Sequence, residues 1–349
     1  SFSGHKTLTD TIPNSLWVPR LLRIFAWSTV SLTMLFLVNN YLIFWKGWPG
    51  LWNFFAHHEL FGISALRIPL GPDAQILGWI QTIVLILLIL VIILFVLKTP
   101  KRTLSEDSRI FTRFAAYLTQ ACFWAVFMVG CVDIVISFLR VEDLLSPMFG
   151  KVMAVELGRS VFRGTYVHYP LIILSFVIAF FVRGLGFTWL ALLVVIAEFQ
   201  IVISRFVYSY EQAFMGDLVR MWYAALFLFA SSYALITEGH VRVDVLYSRF
   251  KAKTKALSNA IGCVILGAPL CLVILTTGMW GKGNSLNSPI LSFEVYQQGF
   301  GMYTKYLMVG FLVVFAVCML VQFMGYFLNS TAELIEGQMN SDQKLKNNP

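Results

Sequence analysis

Long apolar segments alternate with short polar connectors along the whole chain. A helix needs about 20 mainly apolar residues to cross the hydrocarbon core of a bilayer. That ruler predicts eight spans, at approximately 21–45, 75–97, 114–138, 167–183, 187–209, 219–239, 256–280 and 304–328. The fourth is the weakest: its apolar stretch LIILSFVIAFFV is short, RGLGF breaks it from the fifth, and a re-entrant or interfacial piece is the alternative. Two connectors are long enough to hold structure. In 141–163, Val141, Leu144, Leu145, Met148, Val152 and Val155 recur at helical spacing, and 46–74 carries Trp48, Trp52, Phe54 and Phe55. Such segments suit the headgroup region. A loop folded onto its own bundle and a docking surface both stay open.

Composition agrees with a lipid-embedded chain. Hydrophobic residues make up 58% and charged residues 13%, where a soluble domain carries about 25% charged residues. The net charge of +8 then speaks of basic loops beside anionic headgroups, not of nucleic acid. The two densest basic clusters, KTPKR and RFKAKTK, face the same side only if the number of spans between them is even. Lys and Arg are retained on the cytoplasmic side, so eight spans with both termini cytoplasmic is the better arrangement. The first apolar run is a full span and is read as retained rather than cleaved.

Little in the chain points to catalysis. The five cysteines (Cys122, Cys131, Cys263, Cys271, Cys318) lie in apolar runs without CxxC spacing, which argues against a disulfide framework or a metal site. His5, His57, His58, His168 and His240 read as terminal or loop residues, whereas a membrane cytochrome places axial histidines inside its spans. No GxxxxGK[ST], GxSxG or HExxH string occurs, so no phosphate loop, nucleophile elbow or zincin helix is read. The expectation is a protein without enzymatic activity or cofactor. A small set of polar residues stands out inside spans: Glu198, Arg205 seven residues on, and Gln322. They could line an ion path or join helices. One mid-span carboxylate is thin for ion coupling, so helix-to-helix contact is favoured.

The most specific string is EGHVRVDVLYSRFKAKTKA, from Glu238 to Ala256, between the sixth and seventh spans. With GAP at Gly267–Pro269, Tyr303–Lys305 at the start of the last span and Gln322 within it, the second half resembles the small permease subunit, the Q subunit, of tripartite ATP-independent periplasmic (TRAP) transporters. GHVRVDV is the part of the resemblance that is not generic membrane composition. It implies a subunit that holds the large permease (M) subunit in the bacterial inner membrane. A periplasmic binding protein would deliver the solute, often an organic acid, and sodium would drive uptake. Candidate subunit-contact or bracing residues are Glu198, Arg205, Glu238, His240, Arg242, Asp244, Lys305 and Gln322.

The chain departs from that family before residue 187. The reading is an all-α polytopic protein with an extension of about four spans and two long outer loops at 1–186, then a four-helix small-permease-like domain at 187–349. A membrane anchor for a redox or assembly complex is the alternative. The topology is testable with an impermeant thiol reagent on intact cells. Cysteines placed at Ser105 and Ser248 are expected to resist it, and one at Ser285 to react. Reaction at Ser105 but not at Ser248 would show an odd number of spans between them.

Overall fold

A computed structural model describes residues 17–182, 187–236, 247–296 and 300–346, and every described element is helical. The sequence candidates Glu238, His240, Arg242 and Asp244 lie outside the described residues. Helices in chain order are α1 (Trp17–Lys46), α2 (Gly50–His57), α3 (Pro72–Lys98), α4 (Leu104–Val141), α5 (Leu145–Phe149), α6 (Lys151–Leu157), α7 (Ser160–Arg163), α8 (Tyr169–Phe181), α9 (Phe187–Tyr208), α10 (Ala213–Ile236), α11 (Ala252–Gly262), α12 (Ala268–Met279), α13 (Asn287–Ser292) and α14 (Lys305–Lys346). Single π turns at Gly164–His168 and Cys263–Gly267 make α7–α8 and α11–α12 continuous. Among the described residues, eight helical segments are long and apolar enough to cross a membrane. Helix is the expected answer in lipid, where each backbone N–H and C=O must be satisfied within the segment.

The fourth span is longer than hydropathy suggested. It runs Ser160–Phe181, 22 residues, or about 33 Å at 1.5 Å per residue. Arg163 and His168 had hidden its first turns from an apolar ruler. His168 is therefore helical and fully buried, not a loop residue. Both π turns stand just before a proline, Pro170 and Pro269. Proline offers no N–H to the preceding turn and its ring crowds the carbonyl there, so the helix accommodates one extra residue.

The chain packs as two compact units. The first takes Ser1–Phe111, Asp244–Leu266 and Phe323–Pro349. In it α1 packs on α3, and α2 folds back so that Phe54 is buried against Gly78 and Trp79. A Cβ at residue 78 would sit 2.2 Å from the Phe54 ring, which is why glycine stands there. Gln81, polar within α3, accepts from Gly50 N–H at 3.0 Å and donates to Asn39. A capping box opens α4: Thr103 N–H donates to Glu106 and Glu106 N–H to the Thr103 hydroxyl, at 3.0 and 3.2 Å. Asp107, fully buried, accepts on Oδ2 from Arg23 Nε at 2.7 Å and the Trp27 indole at 3.0 Å, and its Oδ1 forms an ion pair with Arg102 at 2.6 Å. Arg23 also donates to Thr99 O and Oγ1.

The second unit is Thr112–Val243 with Gly267–Gln322. Its core joins Cys122, Phe123, Val126 and Val129 of α4 to Leu190 and Ala197 of α9, Leu218, Trp222 and Phe229 of α10, and Met302 and Phe311 around the start of α14. Gly130 lets α10 approach: a Cβ there would lie 2.7 Å from Trp222 Nε1. The indole then reaches Val126 O at 3.1 Å. Tyr210, between α9 and α10, donates its hydroxyl to Glu142 at 2.5 Å. Burial and that carboxylate push its phenol up to about 12, so it stays a donor at neutral pH. Helices from both sides of residue 187 thus build one core.

Candidate functional site

The second unit buries a cluster of charge that hydropathy averages away. Asp133 lies late in α4, Arg163 ends α7, and His168 ends the π turn that follows; all three are fully buried. In a regular α-helix, residues five apart point about 140° apart. The extra residue of the π turn helps bring Arg163 and His168 onto the same carboxylate. Asp133 Oδ1 accepts from Arg163 Nη1 at 3.0 Å and from His168 Nε2 at 2.9 Å. Asp133 Oδ2 accepts from the backbone N–H of Tyr303 at 2.9 Å. With the carboxylate ionised, His168 carries its proton on Nε2, and Nδ1, 2.8 Å from Tyr306 Oη, accepts from that hydroxyl.

Arg163 uses its whole fork. Nε and Nη2 both donate to Leu157 O, at 3.0 and 2.8 Å, and Nη1 also reaches Ser137 Oγ at 3.2 Å. Its guanidinium lies 4.1 Å from the centre of the Tyr303 ring, and that of Arg140 lies 4.6 Å from it. Arg140 also donates to Gly301 O at 2.9 Å and to the Tyr303 hydroxyl. The Tyr303 hydroxyl in turn donates to Gly158 O at 2.8 Å. Asp217, in α10, accepts from the Met302 N–H at 3.0 Å. Two buried carboxylates on two helices therefore hold successive backbone N–H groups ahead of α14. Gly164 makes room beside them, since a Cβ there would meet the Phe293 ring at 2.3 Å. The arrangement is a clamp. Most of its donors and acceptors are matched to one another; the buried Thr304 hydroxyl finds no hydrogen-bond partner among the described residues.

The residues singled out from the sequence fall elsewhere. Glu198 is exposed midway along α9, and Arg205 pairs with Glu211 at 3.4 Å rather than with it. Gln322 is buried within α14, so the three polar span residues are not brought together. Lys305, the first residue of α14, pairs with Glu294. The clamp residues Asp133, Arg163 and His168 were missed. The available signal was three ionisable groups beside apolar runs, which carry meaning in a membrane even when a hydropathy window dilutes them.

Comparison with known families reaches the second half of the chain. Residues 191–333 match the DctQ component of tripartite ATP-independent periplasmic transporters. That segment is similar to the small permease of TRAP transporters. It covers α10–α13, most of α9 and the membrane-spanning part of α14. No curated protein and no solved structure matches the chain. Within the clamp, Asp217, Met302, Tyr303 and Tyr306 belong to the small-permease region, whereas Asp133, Arg140, Arg163 and His168 precede it.

The clamp predicts an asymmetric mutational response. Asp133→Ala leaves Arg163 buried without its counter-charge and is expected to cost about 3–5 kcal/mol. The double change Asp133→Leu with Arg163→Leu removes both charges and should be milder than Asp133→Ala alone. Thermal unfolding in detergent measures both. A double variant less stable than Asp133→Ala would show that the ion pair is not what holds this site.

Proposed function

We propose that this chain is the small membrane subunit of a TRAP-type, sodium-coupled secondary transporter of the bacterial inner membrane. It would hold the large permease subunit while a periplasmic binding protein delivers an organic acid or a related small solute. The match of residues 191–333 to the small-permease family carries this reading.

The shape of α9 supports it. Leu190 and Ala197 face inward, and α9 packs mainly on α10. On the other side Leu192, Val195, Phe199, Val202 and Phe206 are exposed. Their spacing of three and four alternately is the seam that one helix presents to another. Glu198 stands beside that seam, within the length of a membrane span. A carboxylate facing lipid is costly, and a polar group on a partner helix would relieve it. We assign this face to the large subunit, with Glu198 as its polar contact. The charged groups of the clamp have fixed protein partners, which suits a scaffold better than a site where substrate and ions exchange. Residues 1–186 then act as part of the scaffold, since α4 and α7 supply half of the clamp.

Two measurements test the reading. Glu198→Gln should leave assembly nearly intact, because an amide still hydrogen-bonds. Glu198→Leu should weaken the complex by about 1–2 kcal/mol, while the isolated chain is unchanged or more stable. Loss of transport in Glu198→Gln complexes that assemble normally would instead assign Glu198 to coupling. Separately, the reconstituted chain alone should not accumulate solute under a sodium gradient, and adding the large subunit and binding protein should restore uptake. Gradient-driven uptake by the chain alone would overturn the scaffold role.

A further inference from the structure

We infer that the connector between the third and fourth spans, residues 142–159, is a rigid platform seated in the lipid headgroup region with its apolar face toward the acyl chains. Its construction is not that of a water-facing loop. Leu145 of α5 and Leu157 of α6 turn inward and are buried. Met148, Phe149 and Val155 are more than half exposed, and Val152 is 81% exposed. Asp143 and Gly150, both at positive φ, set the two turns that aim α5 and α6.

The platform is held from beneath by the clamp. The Leu157 carbonyl, the last of α6, takes two hydrogen bonds from the buried Arg163 guanidinium, and the next carbonyl, Gly158, takes one from Tyr303. An element fixed by a buried cation cannot fold its apolar side away, so that side is presented permanently. The two helices it joins, Leu104–Val141 and Ser160–Phe181, are both membrane spans by length and composition. A connector of this length between two such helices lies at the bilayer surface. A soluble partner that comes and goes would leave these side chains in water between encounters, whereas lipid covers them continuously. Polar groups share the surface with them, as in an interfacial segment: Lys151 can extend its ammonium past an aliphatic stem, and Glu156, one turn from Val152 on the same face, pairs with Arg159 at 2.8 Å.

This inference needs the chain in a membrane but no transporter partner, so its test is independent of the proposed function. The full-length chain, reconstituted in phospholipid vesicles, would carry Val152→Cys or, beyond the end of α6, Arg159→Cys, each labelled with an environment-sensitive fluorophore. The labelled parent chain serves as blank for its native cysteines. The probe at 152 should emit to the blue, be quenched strongly by phospholipid spin-labelled near the headgroup, and be several-fold less sensitive to soluble iodide than the probe at 159. Equal quenching of both probes by iodide, with none from the lipid-borne label, would place the connector in water and overturn the inference. Shielding of residue 152 that appears only when the large permease or the binding protein is added would overturn it in favour of a protein partner. The substituted side chains are exposed, so each variant should fold; unfolding temperatures matching the parent would confirm that.

Discussion

A buried carboxylate in a bilayer must find its partners inside the protein, and the second unit is organised around that demand at Asp133. Three donors from two separate stretches of chain converge on it: the Arg163 guanidinium, the His168 ring and the Tyr303 backbone. Removing water is what makes the arrangement binding. Fully satisfied, such a network fixes one geometry; with one member missing, it leaves a charge or a dipole stranded in low dielectric. The segment ahead of α14 has no regular secondary structure of its own from Gly301 to Thr304. At residues 301–303, buried side chains from α4 and α10 make the hydrogen bonds that a helix would otherwise make.

This places the residues before 187 in a particular relation to the small-permease region. They are not simply appended. The same helix, α4, provides Cys122, Phe123, Val126 and Val129 to the apolar core and Asp133 to the clamp. Gly130, between those two contributions, admits the Trp222 ring of α10. Shape and charge are thus specified on one helix over about three turns. The proline-linked π turn on the other side of the clamp serves the same end, since it sets the direction of His168 while α8 continues across the membrane.

Much of the architecture was legible in the sequence because it follows from length and hydropathy. Eight spans were expected, and eight suitable helices are found among the described residues. The clamp was not legible, for identifiable reasons. Asp133 and Tyr303 are 170 residues apart, and no local period links them. Arg163 closed the connector read over 141–163 and His168 was read as a loop residue, because nothing in the local sequence joins either to Asp133. The π turn escaped because a period of 3.6 was assumed throughout. Glu198 drew attention for a sound reason, its place within a span; of the helix contacts expected for it, within the chain or to another subunit, its outward-facing side chain leaves the second.

That contrast separates two uses of intramembrane charge. Asp133, Arg163 and His168 are buried and mutually neutralised, so exchanging any partner for a hydrated ion or a substrate would break hydrogen bonds that hold α14. Such a site favours permanence over turnover. Glu198 has the opposite setting. It lies on a face patterned like a helix seam, where its most economical partner is a donor on another helix. A chain whose internal charges are locked and whose remaining mid-span carboxylate points outward is suited to holding a moving neighbour in place, and this division of charge is the physical argument for a scaffold.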